Sequence, residues 1–529
     1  MTVRPTTPSP SQGLSFAAHI GWSLVALVSF HAAQNLGIGW LLIPCGYALI
    51  ELSRAASSRK VFYPMLALGF LFYAPQLGFF WSIFQQAAIV LWLVLAFWIA
   101  LFGLTLRLVR IRFGNGWMLA LAPFIWTGLE YFRSELYYLR FGWLTFGMAN
   151  FTRPAAATAI GCFTLGFALF AFAALLQTTK RRGLNHSVFA LCFATTLGAL
   201  LLYARLPLFL VFATSGLCTA VVCACQRRVV QISIAVSCLL FASGFALSQV
   251  NLSLMPPDPK KFIRVVGVQL EFPTDADVVT HLNRARERYS HSELFMLSEY
   301  TFQTPPPQIV RDWCASNQVY LVVGGKEPLG VTNYYNTAYV IGTNGNIVFQ
   351  QAKSVPIQFF KDGLPAPERK VWDSPWGKLG ILTCYDLSYT RVVDDFVKQG
   401  AIALLNPTMD VVDWGEWQHK LHSRVAPMRA AEYGIPIFRV TSSGISQIVS
   451  RTGRVLASAP FQGKDYAGDG EIIGGQLPLN AKPRLPLDRW LAPVCVVITA
   501  LALIASLIPA RKKRSPDSES SPANTSTPC

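Results

Sequence analysis

The stretch KLGILTCYDLSYT, residues 378–390, decides how the second half of the chain folds. Its GILT segment is a short apolar run of the kind that forms a buried strand, and Cys384, Tyr385 and Asp386 follow where that strand ends. A thiol at the end of a strand can be an inert core residue, or it can be a nucleophile presented at the rim of a sheet. The surrounding sequence has to decide between these two interpretations.

Residues 251–489 contain further short apolar runs that predict strands, including FIRVVGVQLEF, LFMLSEYTF, NIVFQQAK and AIALLNPT. Patterns typical of helices lie between them at 276–290, 308–317, 392–400 and 416–433, and TNGN is a hairpin turn. Strands that alternate with helices and hairpins favour an α/β or α+β domain built from layers. The unbroken apolar run AIALL predicts strands covered on both faces.

The composition indicates a membrane protein. Of the 529 residues, 52% are hydrophobic and only 14% are charged, whereas soluble domains carry roughly 25% charged residues. Apolar runs of about 20 residues can cross a bilayer, and they predict an α-helical membrane bundle of eight or nine spans before the layered domain and one span after it. The predicted spans are 14–33, 36–52, 61–80, 86–106, 116–132, 155–177, 187–206, 208–224, 231–250 and 490–509.

The predicted organisation is therefore a helical bundle over 1–250, a layered domain over 251–489, a final span over 490–510 and a disordered, Ser- and Pro-rich tail over 511–529. The first apolar run resembles a signal peptide with a cleavage site at FHAAQ. Its length and its single basic residue, Arg4, favour a retained membrane helix.

The net charge of +17 does not indicate nucleic-acid binding, because the Lys and Arg residues lie in short clusters between apolar runs. The clusters SRAASSRK, RLVRIR, TKRRG, QRR and ARKKR each follow an even-numbered span. By the positive-inside rule these loops are cytoplasmic. Both termini are then predicted inside the cell, and residues 251–489 outside the membrane.

The eleven cysteines do not form a disulfide framework. Eight lie in or beside apolar segments and Cys529 ends the tail, which leaves Cys314 and Cys384 in the layered domain. These two could form one bridge, but a free Cys384 is the simpler interpretation. Because the sequence contains no metal-type Cys/His spacing, we expect neither a metal nor another cofactor.

Three polar residues each end an apolar strand: Glu299, Lys353 and Cys384. Taken singly, each is more simply a solvated turn residue or a core thiol. Taken together, they supply a base that can deprotonate a thiol, an ammonium that can stabilise an oxyanion, and a nucleophile. Their order and strand-end positions resemble the nitrilase, or carbon–nitrogen hydrolase, superfamily. That resemblance implies a four-layer α-β-β-α sandwich over roughly 261–477, with Glu299 as general base, Lys353 as oxyanion stabiliser and Cys384 as nucleophile.

The membrane half adds a second resemblance. GLEYFRSELYYLRFGWLTFGMANF, residues 128–151, is similar to the Glu-x-x-Arg … Phe-Pro-Trp-Leu signature of apolipoprotein N-acyltransferases, with Gly142 in place of the proline. WGEWQHKLHSRVAPMRAAEYGIPIFRVTSSGIS is similar to a second block of that family. The matching positions are Glu130, Arg133, Phe141, Trp143, Leu144, Trp414, Gln418, His419, Arg429, Ala430, Glu432, Pro436, Arg439, Gly444 and Ser446.

This resemblance implies an enzyme of the bacterial inner membrane with its catalytic domain on the periplasmic side. Cys384 would take a fatty acyl chain from a phospholipid as a thioester and pass it to the N-terminal amine of a diacylated lipoprotein, without a cofactor. Two alternatives stay open. The short segment between Lys353 and Cys384 favours a membrane-anchored amidase. A missing glutamate favours a catalytically impaired scaffold.

That glutamate is the one the family carries shortly after the lysine, where this chain has Phe359 beside Gln358. We then expect another group to hold Lys353, for example Asp362 or Glu368. After Cys-Tyr, Asp386 stands in place of the family's glutamate.

Other polar and aromatic residues are assigned supporting roles, against the simpler alternatives of turn formation and helix packing. His419 and His422 are expected on a helix surface, and Glu130 and Arg133 are expected to form an ion pair at the outer membrane surface. The supporting candidates are Tyr385, Asp386, Asn406, Asp410, Trp414 and Arg439, and the candidates for a substrate entrance are Glu130, Arg133, Trp143 and Trp417.

Overall fold

Helices make up most of residues 14–181. The computed structural model describes residues 14–181, 261–463, 471–479 and 483–508. The predicted spans 187–206, 208–224 and 231–250 lie outside these residues, as does the predicted tail. The helices of the first part are α1 (Phe16–Leu36), α2 (Leu42–Leu52), α3 (Ser58–Gln76), α4 (Phe79–Phe84), α5 (Ala87–Tyr131) and α6 (Cys162–Arg181).

Helix α5 contains a reversal that makes it a hairpin. An α-helix rises 1.5 Å per residue, so Phe102 and Trp126 would lie roughly 36 Å apart in a straight helix. Their ring centroids are only 5.2 Å apart. The chain turns at Gly114, whose φ of +88° is accessible to glycine at little cost. The two arms correspond to the predicted spans 86–106 and 116–132.

Within the described residues, three helices are long and apolar enough to cross a membrane: Phe16–Leu36, Ala87–Leu136 and Asp488–Leu507. The last of these belongs to the C-terminal segment. Helices α2 and α6 are shorter apolar helices. The expectation of a helical membrane part is therefore confirmed by length and composition.

Residues 261–479 form two six-stranded sheets. The first sheet has the order β12-β1-β2-β3-β4-β5 and the second has the order β11-β10-β9-β8-β7-β6. Strands β1, β2 and β3 run parallel, as do β7, β8 and β9, and the outer pairs are antiparallel. The strands of the first sheet are β1 (Phe262–Val268), β2 (Leu294–Met296), β3 (Tyr320–Leu329), β4 (Asn333–Ile341), β5 (Ile347–Ala352) and β12 (Ile472–Pro478). The strands of the second sheet are β6 (Val371–Ser374), β7 (Gly377–Ile381), β8 (Ala403–Thr408), β9 (Ile437–Thr441), β10 (Ser446–Val449) and β11 (Val455–Ala459).

The sheets pack face to face with helices on both outer faces. Side chains alternate along a strand, so Val265 of β1 lies in the core between the sheets and Val266 lies in the core under the outer helices. Leu405 of β8 faces the first of these cores, and Leu404 faces the helices of the second sheet. This is the four-layer α-β-β-α arrangement expected from the sequence.

The outer helices coincide closely with the predicted helical segments. Helix α7 starts with a capping box in which Thr274 and Asp277 bond each other's backbone N–H groups. The predicted helix at 416–433 is divided in two near Arg424. The remaining helices are α7 (Asp275–Arg288), α8 (Gln308–Asn317), α9 (Thr390–Lys398), α10 (Glu416–Ser423), α11 (Val425–Tyr433) and α12 (Asp488–Leu507).

Buried polar contacts join the helical part to the second sheet. A carboxylate oxygen of Glu135 accepts the N–H of Thr390 at 2.8 Å, at the start of α9. Glu432 of α11 accepts the N–H of Cys162 at 3.0 Å, at the start of α6. These bonds satisfy helix N-termini that would otherwise be unpaired. They hold one face of the layered domain against the helices.

Candidate active site

The ends of β2, β5, β7 and β8 converge on one buried cluster. Glu299 follows β2, Lys353 follows β5 and Cys384 follows β7, and each of the three side chains is about 1% exposed or less. The structure therefore brings together the three residues that were selected from the sequence.

The Lys353 ammonium lies between two carboxylates. Its Nζ is 2.8 Å from Glu299 Oε1 and 2.7 Å from Asp362 Oδ2. Asn336 Nδ2 donates to both carboxylates, at 2.6 Å to Glu299 and 2.9 Å to Asp362. Asp362 thus stands where a support for the lysine was needed, while the other candidate, Glu368, pairs with Lys370 on the surface.

Burial and charge set the protonation states of this cluster. Burial raises the pKa of Glu299, and the positive charge of Lys353 only partly offsets this. Burial alone would lower the pKa of Lys353, but the carboxylates of Asp362 and Glu299 outweigh it and hold that pKa well above its usual range. The result is a lysine that stays charged beside a carboxylate with increased basicity.

The Cys384 thiol lies beside Glu299 and in an unusual backbone conformation. It donates to the Glu299 carboxylate, and Sγ is 3.7 Å from the carbonyl oxygen of Met409. Cys384 has a φ of +51°, a region that non-glycine residues seldom occupy and that marks strained functional positions. Burial, followed by the charge of Glu299, raises the pKa of the thiol well above its usual range. Cys384 is therefore a neutral thiol here, and it would need a base to become a thiolate.

Two polar residues stabilise the turn that carries Cys384. Asn406 Nδ2 donates to the carbonyl oxygens of Leu382 and Cys384, at 2.6 and 3.2 Å. The Asp386 carboxylate accepts the N–H groups of Ser354 and Val355, at 2.9 and 2.7 Å. These bonds tie the cysteine turn to the segment that follows Lys353.

Burial raises the pKa of Asp386 to about 6, although the N–H groups that it accepts lower it. The Asp386 carboxylate therefore binds backbone N–H groups. These contacts fit the supporting role that was assigned to Asp386 from the sequence.

Asp410 is the centre of a second buried group. Its oxygens lie 2.6 Å from Arg439 Nη2, 2.7 Å from His422 Nδ1 and 3.2 Å from Gln418 Nε2. The expectation of surface histidines is wrong, because His419 and His422 are both buried. They lie on the face of α10 that contacts Asp410, and His419 also stacks on Phe461.

An apolar cleft leads to the thiol, and ligand sites are commonly clefts of this apolar kind. Its walls come from α4, the first arm of α5, the loop before Trp143, and the segment after Lys353. The lining residues are Phe79, Phe80, Ile83, Phe84, Leu91, Val94, Leu95, Leu139, Arg140, Phe141, Trp143, Ile357, Gln358, Phe359, Phe360, Cys384, Tyr385, Trp414, Gln418 and His422.

The tryptophans predicted at the site divide into two groups. Trp143 and Trp414 line the cleft, and the Trp143 indole donates to the Ser388 hydroxyl at 2.9 Å. Trp417 does not line the cleft; its indole donates to the carbonyl oxygen of Gln76 at 2.8 Å, at the end of α3.

The expected ion pair between Glu130 and Arg133 is not formed within the described residues. Glu130 accepts the N–H of Phe146 at 2.9 Å, and Arg133 donates to the carbonyl oxygen of Phe141 at 2.8 Å. Both side chains are buried, so they shape the loop that carries Trp143. A surface pair would have been solvated; here the loop folds back over the helix end and excludes water.

Sequence reasoning missed Asn336 and the backbone of Met409. Met409 donates its N–H to Glu299 Oε2 at 2.8 Å, a contact that no side-chain pattern can reveal. Asn336 did leave a signal, because it interrupts the strand NYYNTAYVI with a fully buried amide. A buried polar residue in a strand needs partners, and here the partners are the two carboxylates.

Comparison with known proteins gives two family matches on this chain. The model of the apolipoprotein N-acyltransferase N-terminal domain matches residues 23–175, and the model of the carbon-nitrogen hydrolase domain matches residues 296–473. The chain is thus similar to apolipoprotein N-acyltransferases in its helical part and to carbon-nitrogen hydrolases in its layered domain.

Individual N-acyltransferase relatives are distant. The chain is 27% identical to the apolipoprotein N-acyltransferase of Brucella suis over 253 residues, which cover 41% of this chain and 44% of the relative. It is 31% identical to that of Rhizobium leguminosarum over 199 residues, which cover 32% and 36%. The matched region thus spans less than half the length of these relatives.

Soluble proteins also match the layered domain. A deaminated glutathione amidase of Dictyostelium discoideum is 30% identical over 179 residues, which cover 30% of this chain and 62% of the relative. Among solved structures, Nit3 of Saccharomyces cerevisiae is 19% identical with a TM-score of 0.35, covering 41% of this chain and 90% of that one. A carbon-nitrogen hydrolase of Helicobacter pylori is 19% identical with a TM-score of 0.36, and the match covers 41% of this chain and 89% of that one.

The close packing behind Glu299 provides a first test. A Cβ at Gly324 would lie 2.6 Å from Glu299 Cα and 2.7 Å from the Tyr300 nitrogen. We expect Gly324→Ala to displace Glu299 and to slow acylation of the protein by a p-nitrophenyl ester about a hundredfold, as misplaced catalytic groups do. Gly116→Ala, where nothing lies within 4 Å, is the control. Equal rates for both variants would contradict the assigned position of Glu299.

The role of Asp362 gives a second test. Asp362→Asn removes one of the two carboxylates that keep Lys353 charged, so acylation by the same ester should fall about tenfold to a hundredfold. The defect should grow as the pH rises, because the pKa of Lys353 falls and the ammonium is lost at lower pH than before. Glu368→Gln, which alters only an exposed carboxylate, should leave the rate unchanged. If Glu368→Gln were the slower variant, the assignment of the lysine support would be wrong.

Proposed function

We propose that the protein transfers a fatty acyl chain from a phospholipid, through a thioester on Cys384, to the N-terminal amine of a diacylglyceryl-cysteine lipoprotein. The observation that carries the proposal is that Cys384 lines an apolar cleft whose walls include α4 and the first arm of α5 in the membrane part. A lipid chain can enter such a cleft from the bilayer. A small polar amide would gain little from walls made of phenylalanine and leucine.

In the first half-reaction, the Glu299 carboxylate takes the proton of the Cys384 thiol and the thiolate attacks the ester carbonyl carbon of the phospholipid. The carbonyl oxygen becomes an oxyanion, and the Lys353 ammonium stabilises it. As the C–O bond breaks, the leaving oxygen takes the proton from Glu299. The products are a lysophospholipid and the acyl thioester, and Glu299 is again a carboxylate.

In the second half-reaction, the lipoprotein amine attacks the thioester carbon and Lys353 stabilises the oxyanion again. Glu299 takes a proton from the attacking nitrogen and passes it to the sulfur as the C–S bond breaks, so the products are an amide and the neutral thiol. Both substrates can use one cleft in turn, because the lysophospholipid leaves before the acceptor enters.

The location of the site follows from this proposal and from the basic loops. We place the protein in the bacterial inner membrane, with the layered domain on the periplasmic side and both termini in the cytoplasm. Both substrates would then reach the cleft by lateral movement within the outer leaflet, and no nucleic acid or cofactor takes part.

Thioester formation tests the proposed reaction. Wild-type protein incubated with phospholipid vesicles should gain one fatty acyl group on the peptide that contains Cys384, detected by mass spectrometry and removed by hydroxylamine. Cys384→Ala should gain none, whereas Cys314→Ala, which removes a buried thiol of α8, should load normally. Hydrolysis of small amides without lipid loading would favour the amidase, and no adduct with any acyl donor would favour the scaffold.

Topology can be tested with single introduced thiols. Val331 is fully exposed at the tip of the β3–β4 hairpin and Gly116 is exposed near the α5 reversal. We expect a membrane-impermeant maleimide to label Val331→Cys in spheroplasts from outside, and to label Gly116→Cys only after the membrane is opened. The opposite labelling pattern would invert the proposed orientation.

A further inference from the structure

His422 contributes an imidazole to the cleft that also contains the thiol. Its ring stacks on Trp143, with centroids 4.7 Å apart and an interplanar angle of 18°. On its other side, Nδ1 is 2.7 Å from Asp410 Oδ1. Asp410 directly follows Met409, whose N–H binds Glu299 and whose carbonyl oxygen contacts Cys384. The imidazole is therefore held between Trp143 and Asp410, in the cleft that also contains the thiol.

The surrounding charges determine which nitrogen of His422 can act. Burial alone would raise the pKa of Asp410, but His422 and Arg439 hold it well below its usual range, so the carboxylate is ionised. An ionised carboxylate only accepts hydrogen bonds, so Nδ1 carries the ring proton and Nε2 carries a lone pair. Burial lowers the pKa of His422, and the positive charge of Arg439 and the neighbouring His419 lower it further. The Asp410 carboxylate opposes them only in part, so the pKa lies below its usual value. The net result is a neutral imidazole at neutral pH, which is a base.

The two half-reactions of the proposed function differ in their proton balance. In the first, the thiol loses one proton and the lysophospholipid oxygen gains one, so Glu299 alone suffices. In the second, the acceptor is an α-amine with an ordinary pKa of about 7.7–8.0, and most of it is ammonium at neutral pH. Its nitrogen loses two protons in forming the amide. One returns to the Cys384 sulfur through Glu299, and the other has no place in the Glu299–Lys353–Cys384 cluster.

We propose that His422, oriented by Asp410, is the base that takes this second proton from the acceptor amine. The inference rests on the proposed function and adds a catalytic residue to its second half-reaction. Nε2 removes a proton from the ammonium, which gives the neutral amine that attacks the thioester. The imidazolium then releases the proton to water through the cleft. The Asp410 carboxylate stabilises the imidazolium while it exists.

The test separates the two half-reactions in the full-length protein. In His422→Asn the amide nitrogen can occupy the position of Nδ1 and keep the bond to Asp410, while Nε2 is removed. Wild type and variant are first loaded with acyl chains from phospholipid vesicles. Each thioester is then given a diacylated lipopeptide at pH values from 6.5 to 9, and separately hydroxylamine, an amine that is already unprotonated at neutral pH. His281→Asn, which removes a histidine of α7 outside the site, is the matched control.

We expect His422→Asn to slow loading and the hydroxylamine reaction much less than it slows transfer to the lipopeptide. Its transfer to the lipopeptide at pH 6.5 should be slower by about tenfold or more, as expected when a general base is lost. The defect should shrink to about twofold by pH 9, where the amine has lost its proton in solution. His281→Asn should behave as wild type at every pH.

Three results would overturn the inference. Unchanged lipopeptide transfer at every pH would mean that His422 takes no proton. Equal losses in loading, hydroxylamine reaction and transfer, independent of pH, would mean that His422 only supports the fold of the cleft. If wild type itself loads no acyl chain, or loads it and does not transfer it to the lipopeptide, the proposed function fails and the inference fails with it.

Discussion

The site depends on one constraint, the burial of a lysine ammonium. An unpaired charge away from water is strongly destabilising, so Lys353 requires negative partners with good geometry. Glu299 and Asp362 supply them at 2.8 and 2.7 Å, and Asn336 bonds both. Because these groups come from different strand ends, the pairing sets the relative position of the loops after β2 and β5. The same arrangement leaves Glu299 basic and next to the thiol of Cys384.

The second constraint is the contact between the helical part and the second sheet. Helices α9 and α11 pack on that sheet. The N-terminus of α9 bonds to Glu135 of the membrane part, and the C-terminal part of α11 bonds to Cys162. The apolar core is continuous from these helices into the membrane helices. A soluble member of the same fold would expose this face to water. In this protein the same face borders the cleft, so the Cys384 thiol is reached through a cleft with apolar walls.

Two candidate bases, Glu299 and His422, share a site with the Cys384 thiol, and each would serve a different proton transfer of the proposed reaction. Glu299 is raised in basicity by burial and serves a thiol with a raised pKa, so it can exchange one proton with sulfur in either direction. Asp410 lies on the loop after β8, and it contacts His422 of α10. In the reaction proposed above, transfer to an ammonium uses both Glu299 and His422, whereas release of the acyl group to water would use only Glu299.

Much of this could be predicted from the sequence, because local patterns report burial. Apolar runs, turn residues and basic clusters identified the strands, the helices and the membrane part, and polar residues at the ends of apolar strands identified Glu299, Lys353 and Cys384. The sequence also offered Asp362 and Glu368 as examples of a support for Lys353. Only the tertiary structure selected Asp362, brought Asn336 and the Met409 backbone to Glu299, and buried His422 beside Asp410. Those contacts join strands and helices that are distant along the chain, and no local pattern contains the packing that decides which distant groups share a site.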